Sequence, residues 1–522
     1  MGKTFYVTTP IYYPNAVPHI GTAYTTVAAD VLTRYLRLTR GNAFLLTGSD
    51  ENGLKIVQAA QGLNQNPREY VDGIVASFQD VWHKLHIHYD DFIRTSEERH
   101  VRVVQSAFRT LREKGEIYKS YYEGWYCVHC ESFWLESQLV EGNCPNQECN
   151  RPAEKVREEN YFFRLSKYQA LLCEYIEAHP EFIRPESRRN ETLSFIRSGL
   201  QDLCVSRKSV QWGITVPEDP EYVIYVWVDA LLNYISAIGY LGDEEKFRSL
   251  WPADVQLIGK DILRFHAVIW PAMLLALDLP LPKCLFVHGW LVTESGKISK
   301  SKGGSRNIHE LIAAYGDDAI RYFLLREASF GLDLHFSEEA LIGRINNDLA
   351  NDLGNLLNRT LPMIQKYTDS VVEPPGETAA VDEDLRIVVR DLYAEVDQAM
   401  LNLQFREALI AIWKLVSRAN KYIDETAPWA LAREGKESRL HTVLYNIAES
   451  IRISILYMSP FLPEACRKMW QQLGMRERIE TQHKDSISWG LLPPRTIVHT
   501  GDPLFPRIEA APVSEQVSSP GA

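Results

Sequence analysis

The chain has 522 residues, a net charge of −12, 45% hydrophobic residues and 24% charged residues. This composition is typical of a folded protein of several domains and excludes a disordered chain. The acidic balance also excludes a protein that simply coats nucleic acid, so any polyanion would have to bind at a local basic patch.

The sequence predicts neither a membrane span nor a secretory signal. The most apolar run, residues 267–281, contains Pro271 and Pro280 and is too short to cross a bilayer. The N-terminus passes straight into a strand-like pattern, without the features of a signal peptide. We therefore expect a cytoplasmic protein that does not bind membranes.

The first sixty or so residues alternate between strand and helix patterns. The predicted elements are a strand at residues 4–8, a helix at 23–38, a strand at 44–50 and a helix at 54–61. Such alternation predicts a parallel α/β sheet, in which ligands bind beyond the carboxyl ends of the strands. Two polar turns fall at that edge, one around His19 and one around Asp50.

His19 directly precedes Ile20 and Gly21 at the start of a predicted helix. The backbone N–H groups and the dipole of a helix N-terminus favour an anion, and an imidazole N–H can add a hydrogen bond to a phosphate oxygen. A lone histidine in a loop is more often a solvated or capping residue. From this residue alone, both interpretations stay open.

A group of four cysteines lies between residues 127 and 149. Cys127 and Cys130 have C-x-x-C spacing, and Cys144 and Cys149 form a second, wider pair. In a cytosolic chain this grouping favours tetrahedral zinc over disulfides, and four protein ligands would make the site structural. The wide second pair leaves His129 open as an alternative to Cys149.

The cysteine segment interrupts the strand and helix alternation. After it we predict helices at 161–177 and 185–200, a buried strand at 222–229, a helix from Ala230, and a strand at 255–259. This order predicts one α/β domain that is interrupted by an insertion.

A lysine-rich segment follows a further predicted strand at residues 285–290. Lys297, Lys300 and Lys302 alternate with small hydroxyl residues and are bordered by glycines. Glycine permits close backbone approach and the ammonium group of lysine suits phosphate, although a solvated basic loop would have the same composition.

From Ser337 the pattern is helical almost to the end of the chain. A long helix begins near Leu341, and further helices are predicted near 382–402, 404–424 and 437–457. This pattern predicts an α-helical bundle.

Two of these segments together resemble a known signature pair. The first segment resembles the HIGH motif of class I aminoacyl-tRNA synthetases and follows the first strand, as Pro18-His19-Ile20-Gly21-Thr22. The second resembles their KMSKS motif and follows a later strand, as Lys297-Ile298-Ser299-Lys300-Ser301. Two departures are visible, because Thr22 replaces the second histidine and isoleucine replaces methionine. Three further features narrow the resemblance to the methionyl-tRNA synthetase family: the cysteine group, Tyr225-Val-Trp-Val-Asp-Ala230 and Asn351-Asp-Leu-Gly-Asn355. The resemblance covers the chain from Phe5 to about Leu473.

The resemblance implies a Rossmann-like parallel-sheet catalytic domain with a zinc-binding insertion, followed by an α-helical anticodon-binding bundle. The implied divisions are 1–115 and 221–290 for the two halves of the catalytic domain, 116–220 for the connective insertion with the zinc knuckle, 291–337 for the KMSKS-loop and stem-contact region, 338–508 for the anticodon-binding domain, and 509–522 for a disordered tail.

The chemistry implied by the resemblance has two steps. Methionine is activated by ATP to methionyl-adenylate with release of pyrophosphate, and is then transferred to the terminal adenosine of tRNA(Met), initiator or elongator. Such steps need in-line positioning and neutralised charge rather than a covalent nucleophile. The implied cofactors are one structural Zn²⁺ per chain and Mg²⁺ with ATP, and we expect a monomer.

The resemblance also assigns site residues. Its ATP-binding and catalytic positions are His19, Gly21, Thr22, Lys297 and Lys300. Its methionine-binding positions are Ile11, Tyr13, Asp50, Trp227, Ala230, Leu231, Tyr234, Ile262 and His266. Its anticodon-binding positions are Asn351, Asn355 and Trp429, and its zinc ligands are Cys127, Cys130, Cys144 and Cys149.

Two alternatives remain at this point. One is another class I synthetase of small apolar amino acids, although the branched-chain enzymes carry a larger editing insertion and a cysteine enzyme would need zinc in its substrate pocket. The other is a non-catalytic tRNA-binding paralogue, which would have no need of His19, Lys297 and Lys300.

Overall fold

The structure is a computed structural model that describes residues 3–129, 132–134, 136–146, 149–208, 212–293, 296–297 and 307–509. All structural statements concern these residues. Three features expected from the sequence, Cys130, Lys300 and the tail from residue 510 onward, lie outside them. Lys297 is described by its backbone alone.

The strands are short, apart from two long ones in the middle of the chain. In chain order they are Phe5–Thr8 (β1), Ala43–Ser49 (β2), Asp91–Arg94 (β3), Ile117–Cys127 (β4), Ser132–Trp134 (β5), Glu154–Phe163 (β6), Ile183–Arg184 (β7), Leu203–Cys204 (β8), Ser206–Arg207 (β9), Thr215–Val216 (β10), Asp219–Ile224 (β11), Val255–Gly259 (β12), Leu285–His288 (β13), Leu291–Thr293 (β14), Gly296–Lys297 (β15), Leu334–His335 (β16), Val371–Val372 (β17) and Thr496–Ile497 (β18).

The helices dominate the second half of the chain. In order they are Ile20–Arg40 (α1), Leu54–Gly62 (α2), Pro67–Lys84 (α3), Glu98–Glu113 (α4), Gln169–Ala178 (α5), Glu186–Arg197 (α6), Val226–Leu231 (α7), Asn233–Ser236 (α8), Glu244–Leu250 (α9), Trp270–Ala276 (α10), Ile308–Tyr315 (α11), Asp317–Arg326 (α12), Glu338–Arg344 (α13), Asn355–Thr368 (α14), Ala380–Leu401 (α15), Phe405–Thr426 (α16), Pro428–Arg433 (α17), Glu437–Met458 (α18) and Pro463–Gln472 (α19). Two further segments, Phe265–Ile269 and Ile345–Gly354, are π-helical.

The central sheet has the strand order β3-β2-β1-β12-β13-β7, and all neighbouring strands are parallel. The predicted parallel α/β architecture is therefore confirmed. The order reverses between β1 and β12, where Thr8 is opposite Gln256, and such a reversal opens a crevice beyond the carboxyl ends of the strands. The loops that carry His19 and Asp50 leave the sheet at this edge.

The middle of the chain differs from the prediction in two places. The helix predicted from residue 161 is wrong at its start, because β6 continues to Phe163 and α5 begins at Gln169. The strand predicted at 222–229 is correct only for its first three residues. β11 ends at Ile224 in a small antiparallel sheet with β9 and β10, and α7 begins at Val226. A continuous apolar run fits a buried strand and a buried helix equally well.

The sheet also receives a strand from within the range expected for the insertion. Ile183 of β7 is opposite Leu285 of β13, so the chain returns to the central sheet well before residue 221. Two residues are too few for a strand pattern to be recognised in the sequence.

The C-terminal part is a helical bundle, as predicted. Its three longest helices, α15, α16 and α18, coincide with the predicted ranges to within about two residues, the usual uncertainty of helix ends. Among the described residues, no helix has both the length and the hydropathy needed to span a bilayer.

A buried ion pair joins the central sheet to the bundle. Asp30 of α1 and Arg321 of α12 are fully buried, with 2.7 Å between a carboxylate oxygen and Nη2. The same guanidinium donates to the carbonyl oxygens of Leu85, Pro460 and Phe461. Although burial opposes ionisation, nearby guanidinium groups, that of Arg321 included, hold the pKa of Asp30 below its usual value.

Replacement Arg321→Met is expected to lower the free energy of unfolding by about 3–5 kcal/mol, because it removes one partner of a buried charge and leaves three carbonyl groups unpaired. Denaturant unfolding measures this loss. The matched control is Arg359→Met, which breaks a partly exposed pair with Asp424 and should cost less than about 1 kcal/mol. Equal losses for the two variants would contradict the prediction.

Candidate functional site

His19 is the N-cap residue of α1. Its Nδ1 accepts a hydrogen bond from the backbone N–H of Thr22 over 3.3 Å, so a neutral ring carries its proton on Nε2. A Cβ at Gly21 would lie 3.0 Å from two atoms of this ring, which explains the glycine. The imidazole is thus fixed at a helix N-terminus, a place that favours an anion.

A second histidine, which the sequence analysis did not single out, connects α1 to the end of β13. Thr25 Oγ1 lies 2.7 Å from Nε2 of His288, and Nδ1 of that ring lies 2.7 Å from the carbonyl oxygen of Gly289. Because a carbonyl only accepts, Nδ1 carries the proton and the threonine hydroxyl donates to Nε2. The chain leading to the lysine-rich segment is therefore fixed against the helix that begins after His19.

The base of the lysine-rich segment is held to the end of β12. Backbone pairing in a small sheet places Lys297 opposite Val292. Lys260 forms an ion pair with Asp333 at 2.7 Å, and its Nζ lies 3.7 Å from the centroid of the Trp290 ring. Asp333 also accepts the backbone N–H of Trp290 over 2.8 Å. These contacts place the start of the segment at the same sheet edge as His19.

Asp50 follows β2 and is only 8% exposed. Its backbone N–H donates to the carbonyl oxygen of Tyr12 over 3.0 Å, and the N–H of Tyr12 donates to Gly48 over 2.9 Å. Gly48 allows β2 to approach β3 closely before this turn, since a Cβ there would lie 2.1 Å from the carbonyl oxygen of Ile93. The turn that carries the Asp50 carboxylate is therefore bound to the loop after β1.

His266 lies in the first π-helical segment and is buried. Its Nδ1 is 3.0 Å from the carbonyl oxygen of Ile262, and its Nε2 is 2.8 Å from the hydroxyl of Tyr234. The ring therefore donates from Nδ1 and accepts the tyrosine O–H at Nε2. Burial lowers the pKa of His266 from 6.5 to about 4, so the imidazole is neutral at physiological pH.

Among the other residues expected to bind methionine, Trp227, Tyr234 and Ile262 contact this histidine. The rings of Trp227 and Phe265 stack with centroids 3.7 Å apart, and Trp227 meets His266 edge to face. Phe265 was missed by sequence reasoning, because an apolar residue on a helix carries no special signal. Four of the expected residues pack against the apolar cluster that contains Leu231 and Tyr234; they are Ile11, Tyr13, Trp227 and Ile262. Ala230 is buried on the same helix as Leu231.

Three of the expected zinc ligands come together in the insertion. The sulfur atoms of Cys127, Cys144 and Cys149 all lie within 4.8 Å of one another, and those of Cys127 and Cys149 are 3.5 Å apart. Thiolates on tetrahedral zinc, with bonds of about 2.3 Å, are about 3.8 Å apart, so this spacing fits the ion. The fourth expected ligand, Cys130, is outside the described residues.

The residues expected to read the anticodon lie near the junction of the second π-helical segment and α14. Asn351 is in the π-helical segment, Asn355 is the first residue of α14 and is exposed, and the Trp429 side chain is 46% exposed on α17. Arg507, which sequence reasoning missed, donates a hydrogen bond to Oδ1 of Asn351. This contact orients the amide so that its NH₂ group is the part left to meet a ligand.

Comparison with known proteins agrees with this arrangement. Residues 5–361 match the family model described as tRNA synthetases class I (M), and residues 372–518 match that of the anticodon binding domain of methionyl tRNA ligase. The chain is 58% identical over 511 residues to the methionine–tRNA ligase of Caldanaerobacter subterraneus subsp. tengcongensis, covering 98% of this chain and 80% of that protein. Its identity to the Clostridium acetobutylicum enzyme of the same name is 51%, covering 99% and 80%.

The fold comparison leads to the same family. The structure superimposes on Mycobacterium tuberculosis methionyl-tRNA synthetase bound by methionyl-adenylate with a TM-score of 0.92 and 41% identity, covering 97% of this chain and 100% of that one. It also superimposes on the apo form of that protein with a TM-score of 0.86 and 40% identity, covering 98% and 99%.

The neutral state of His266 gives a pH-dependent contribution to stability. The histidine of the unfolded chain binds a proton near pH 6.5, but the folded protein resists protonation until about pH 4. The contribution is present above the higher value and is lost as the pH falls, by about 2 kcal/mol between pH 7 and pH 5. Denaturant unfolding at both pH values should show that His266→Gln reduces this difference, whereas His483→Gln, at an exposed position, leaves it unchanged. The same pH dependence in the wild type and in His266→Gln would contradict the assignment.

Proposed function

The chain belongs to the methionyl-tRNA synthetase family of class I aminoacyl-tRNA synthetases, and we propose that it ligates methionine to tRNA(Met). Methionine is first activated by ATP to methionyl-adenylate with release of pyrophosphate, and is then transferred to the terminal adenosine of the tRNA. The observation that carries the proposal is that the His19 helix N-terminus, the turn of Asp50 and the segment of His266 follow β1, β2 and β12, whose carboxyl ends lie side by side in one parallel sheet.

In the activation step, the α1 N-terminus would hold the phosphates of ATP. His19 would donate from Nε2 to a phosphate oxygen, and Thr22 would add a neutral donor where a second histidine stands in the motif. Lys297 and Lys300 would stabilise the negative charge that develops as pyrophosphate leaves. Mg²⁺ bound with ATP would supply further neutralisation of the phosphate charge. The methionine carboxylate attacks the α-phosphorus in line, and no covalent enzyme intermediate is needed.

The pocket suits the methionine side chain. The Asp50 carboxylate would pair with the substrate ammonium group, which would offset the cost of keeping an acidic group only 8% exposed. The Trp227 ring stacked on Phe265 offers a rigid apolar wall to a flexible, polarizable thioether. Because His266 is neutral and accepts the hydroxyl of Tyr234, its imidazole would present no cation to the sulfur.

The bundle would recognise the CAU anticodon of tRNA(Met). Amide groups of Asn351 and Asn355 can hydrogen-bond to the edges of unpaired bases, and an exposed indole such as that of Trp429 can stack on a base. Asn355 and Trp429 lie on neighbouring helices, α14 and α17. The proposal thus places recognition of single-stranded RNA on this face of the bundle.

Zinc would stabilise the fold of the insertion. Cys127, Cys144 and Cys149, with Cys130 as the fourth ligand, would hold one Zn²⁺ per chain in a closed tetrahedral site. His129 remains the alternative to Cys149, and the zinc content of the Cys149→Ser and His129→Gln variants, measured by atomic absorption, tests the choice.

We also expect a cytoplasmic location, a monomeric state and the domain divisions given above, except that the insertion would end before β7, which lies in the central sheet. Light scattering measures the mass in solution, cell fractionation locates the protein, and limited proteolysis maps the boundaries. A mass of twice the chain would refute the monomer.

Activation is tested by exchange of labelled pyrophosphate into ATP. Exchange should require methionine, and Lys300→Ala should lower kcat by about 100-fold or more, because it removes a charge that acts in the transition state. Lys366→Ala, at an exposed position of the bundle, is the matched control and should leave exchange unchanged. Exchange that leucine or isoleucine supports better than methionine would refute the substrate assignment.

Anticodon recognition is tested separately. Trp429→Ala should leave pyrophosphate exchange unchanged but raise KM for tRNA(Met) in aminoacylation by about 10-fold or more, since loss of base stacking costs about 1–3 kcal/mol. Ile497→Ala, which truncates another exposed apolar side chain outside the proposed surface, serves as control. Equal KM values for the Trp429 variant and the wild type would place recognition elsewhere.

A further inference from the structure

A chain of buried polar side chains lies behind the proposed methionine pocket. Asn52 Nδ2 donates to one carboxylate oxygen of Asp229 over 2.6 Å, and the other oxygen lies 2.7 Å from Nε2 of His100. Nδ1 of the same histidine lies 2.7 Å from the hydroxyl of Ser236. All four residues are buried, and Asp229 and His100 are completely inaccessible. None of the four has a part in the proposed chemistry.

Three of these residues belong to segments that carry pocket residues. Asn52 comes two residues after Asp50 in the turn that follows β2. Asp229 lies on α7 between Trp227 and Ala230, and Ser236 ends α8, the helix of Tyr234. The hydrogen-bonded chain therefore joins the turn that would bind the ammonium group to the two helices that would bind the side chain.

The fourth residue, His100, anchors the chain from outside the pocket. It lies in the first turn of α4, and its ring bridges Asp229 of α7 and Ser236 of α8. A ring that touches both helices fixes their relative position, because its two nitrogen atoms are a fixed distance apart. The helix α4 thus acts as the fixed support.

The other side of the turn is held by different groups. The carboxylate of Glu51 is buried and accepts hydrogen bonds from Ser49 and Arg94. Its backbone carbonyl accepts the indole N–H of Trp212 over 2.6 Å, and its N–H donates to Thr95. Glu51 thus ties the turn to the β3 side of the sheet, whereas Asn52 ties it to α7.

A buried carboxylate in this connection tolerates little change in its hydrogen-bond partners. Removing Asp229 from water is costly unless both oxygens accept hydrogen bonds, as they do here from Asn52 and His100. Loss of one partner leaves part of a buried charge unsatisfied, so the neighbouring segments must move to admit water or another donor. Movement of either segment would change the distance between Asp50 and Trp227.

We propose that Asn52, Asp229 and His100 are positioning residues that set the distance between the Asp50 turn and α7, and thereby the affinity for methionine. The inference rests on the proposed methionine site and adds residues that do not touch the substrate. On this proposal, the affinity for methionine depends on these hydrogen bonds as well as on the side chains that contact the substrate.

The first test is Asn52→Ala in methionine-dependent pyrophosphate exchange with the full chain. We expect KM for methionine to rise about 10-fold or more, since small misplacements of binding groups have effects of this order, and KM for ATP to stay within about twofold. The matched control is Asn446→Ala in the bundle, where a buried asparagine donates to the hydroxyl of Tyr422 over 3.1 Å. It also removes a buried amide and should leave both KM values unchanged.

The second test exchanges the two partners. Asn52→Asp alone sets two carboxylates against each other and should raise KM for methionine further than Asn52→Ala does. The double variant Asn52→Asp/Asp229→Asn restores one amide and one carboxylate across the same contact, and should recover KM to within about threefold of the wild type. If Asn52→Asp does not fold, the alanine variant and the double variant still decide the question.

The outcomes separate the two proposals. A wild-type protein without methionine-dependent exchange refutes the proposed function itself. With normal wild-type exchange, three results would each overturn the positioning role: an unchanged KM for methionine in Asn52→Ala, an equal rise in KM for ATP, or the same effect in Asn446→Ala. A selective rise in KM for methionine, reversed in the double variant, supports it.

Discussion

The structure depends on the ion pair between Asp30 and Arg321, because it fixes the helix on which the candidate site is built. Helix α1 begins at the proposed phosphate site, next to His19, and carries Asp30 in its middle. Arg321 satisfies this charge and at the same time caps carbonyl groups at the end of the bundle. An apolar pair could pack equally well, so the pair contributes a defined relative position of sheet and bundle more than it contributes stability.

Both proposed recognition sites use a π-helical segment, one at His266 and one at Asn351. The wider turn shifts the side chains that follow by about 100° relative to a regular helix, the rotation of one residue. In the pocket, two consecutive residues of this segment make different contacts: Phe265 stacks on Trp227 while His266 accepts the Tyr234 hydroxyl. Irregular helix geometry of this kind is often found at functional sites and costs some hydrogen bonding.

Patterns of local periodicity sufficed to predict the parallel sheet, the bundle and the grouping of three cysteines. They failed where a buried run fits two structures, so Trp227 was expected on a strand but lies on a helix. They also could not reveal partners that are far apart in the chain, such as Asn52 and Asp229, or Asn351 and Arg507. Those contacts are set by the tertiary fold, and a single sequence carries no periodic signal for them.

The two proposed sites are joined by direct contacts between helices. Asp348, in the π-helical segment of Asn351, accepts the hydroxyl of Tyr322 on α12 over 2.7 Å, and the adjacent Arg321 binds Asp30 on α1. A second connection runs from Arg40, at the end of α1, to Asp397 of α15. The first two contacts are buried, and in the third Nη2 of Arg40 lies 2.8 Å from both carboxylate oxygens of Asp397. A coupled change between the sites would need an element with two alternative arrangements. Helices α1 and α12 therefore fix the separation between the bundle and the proposed adenylate site. At this separation, tRNA bound on the bundle would reach the adenylate site.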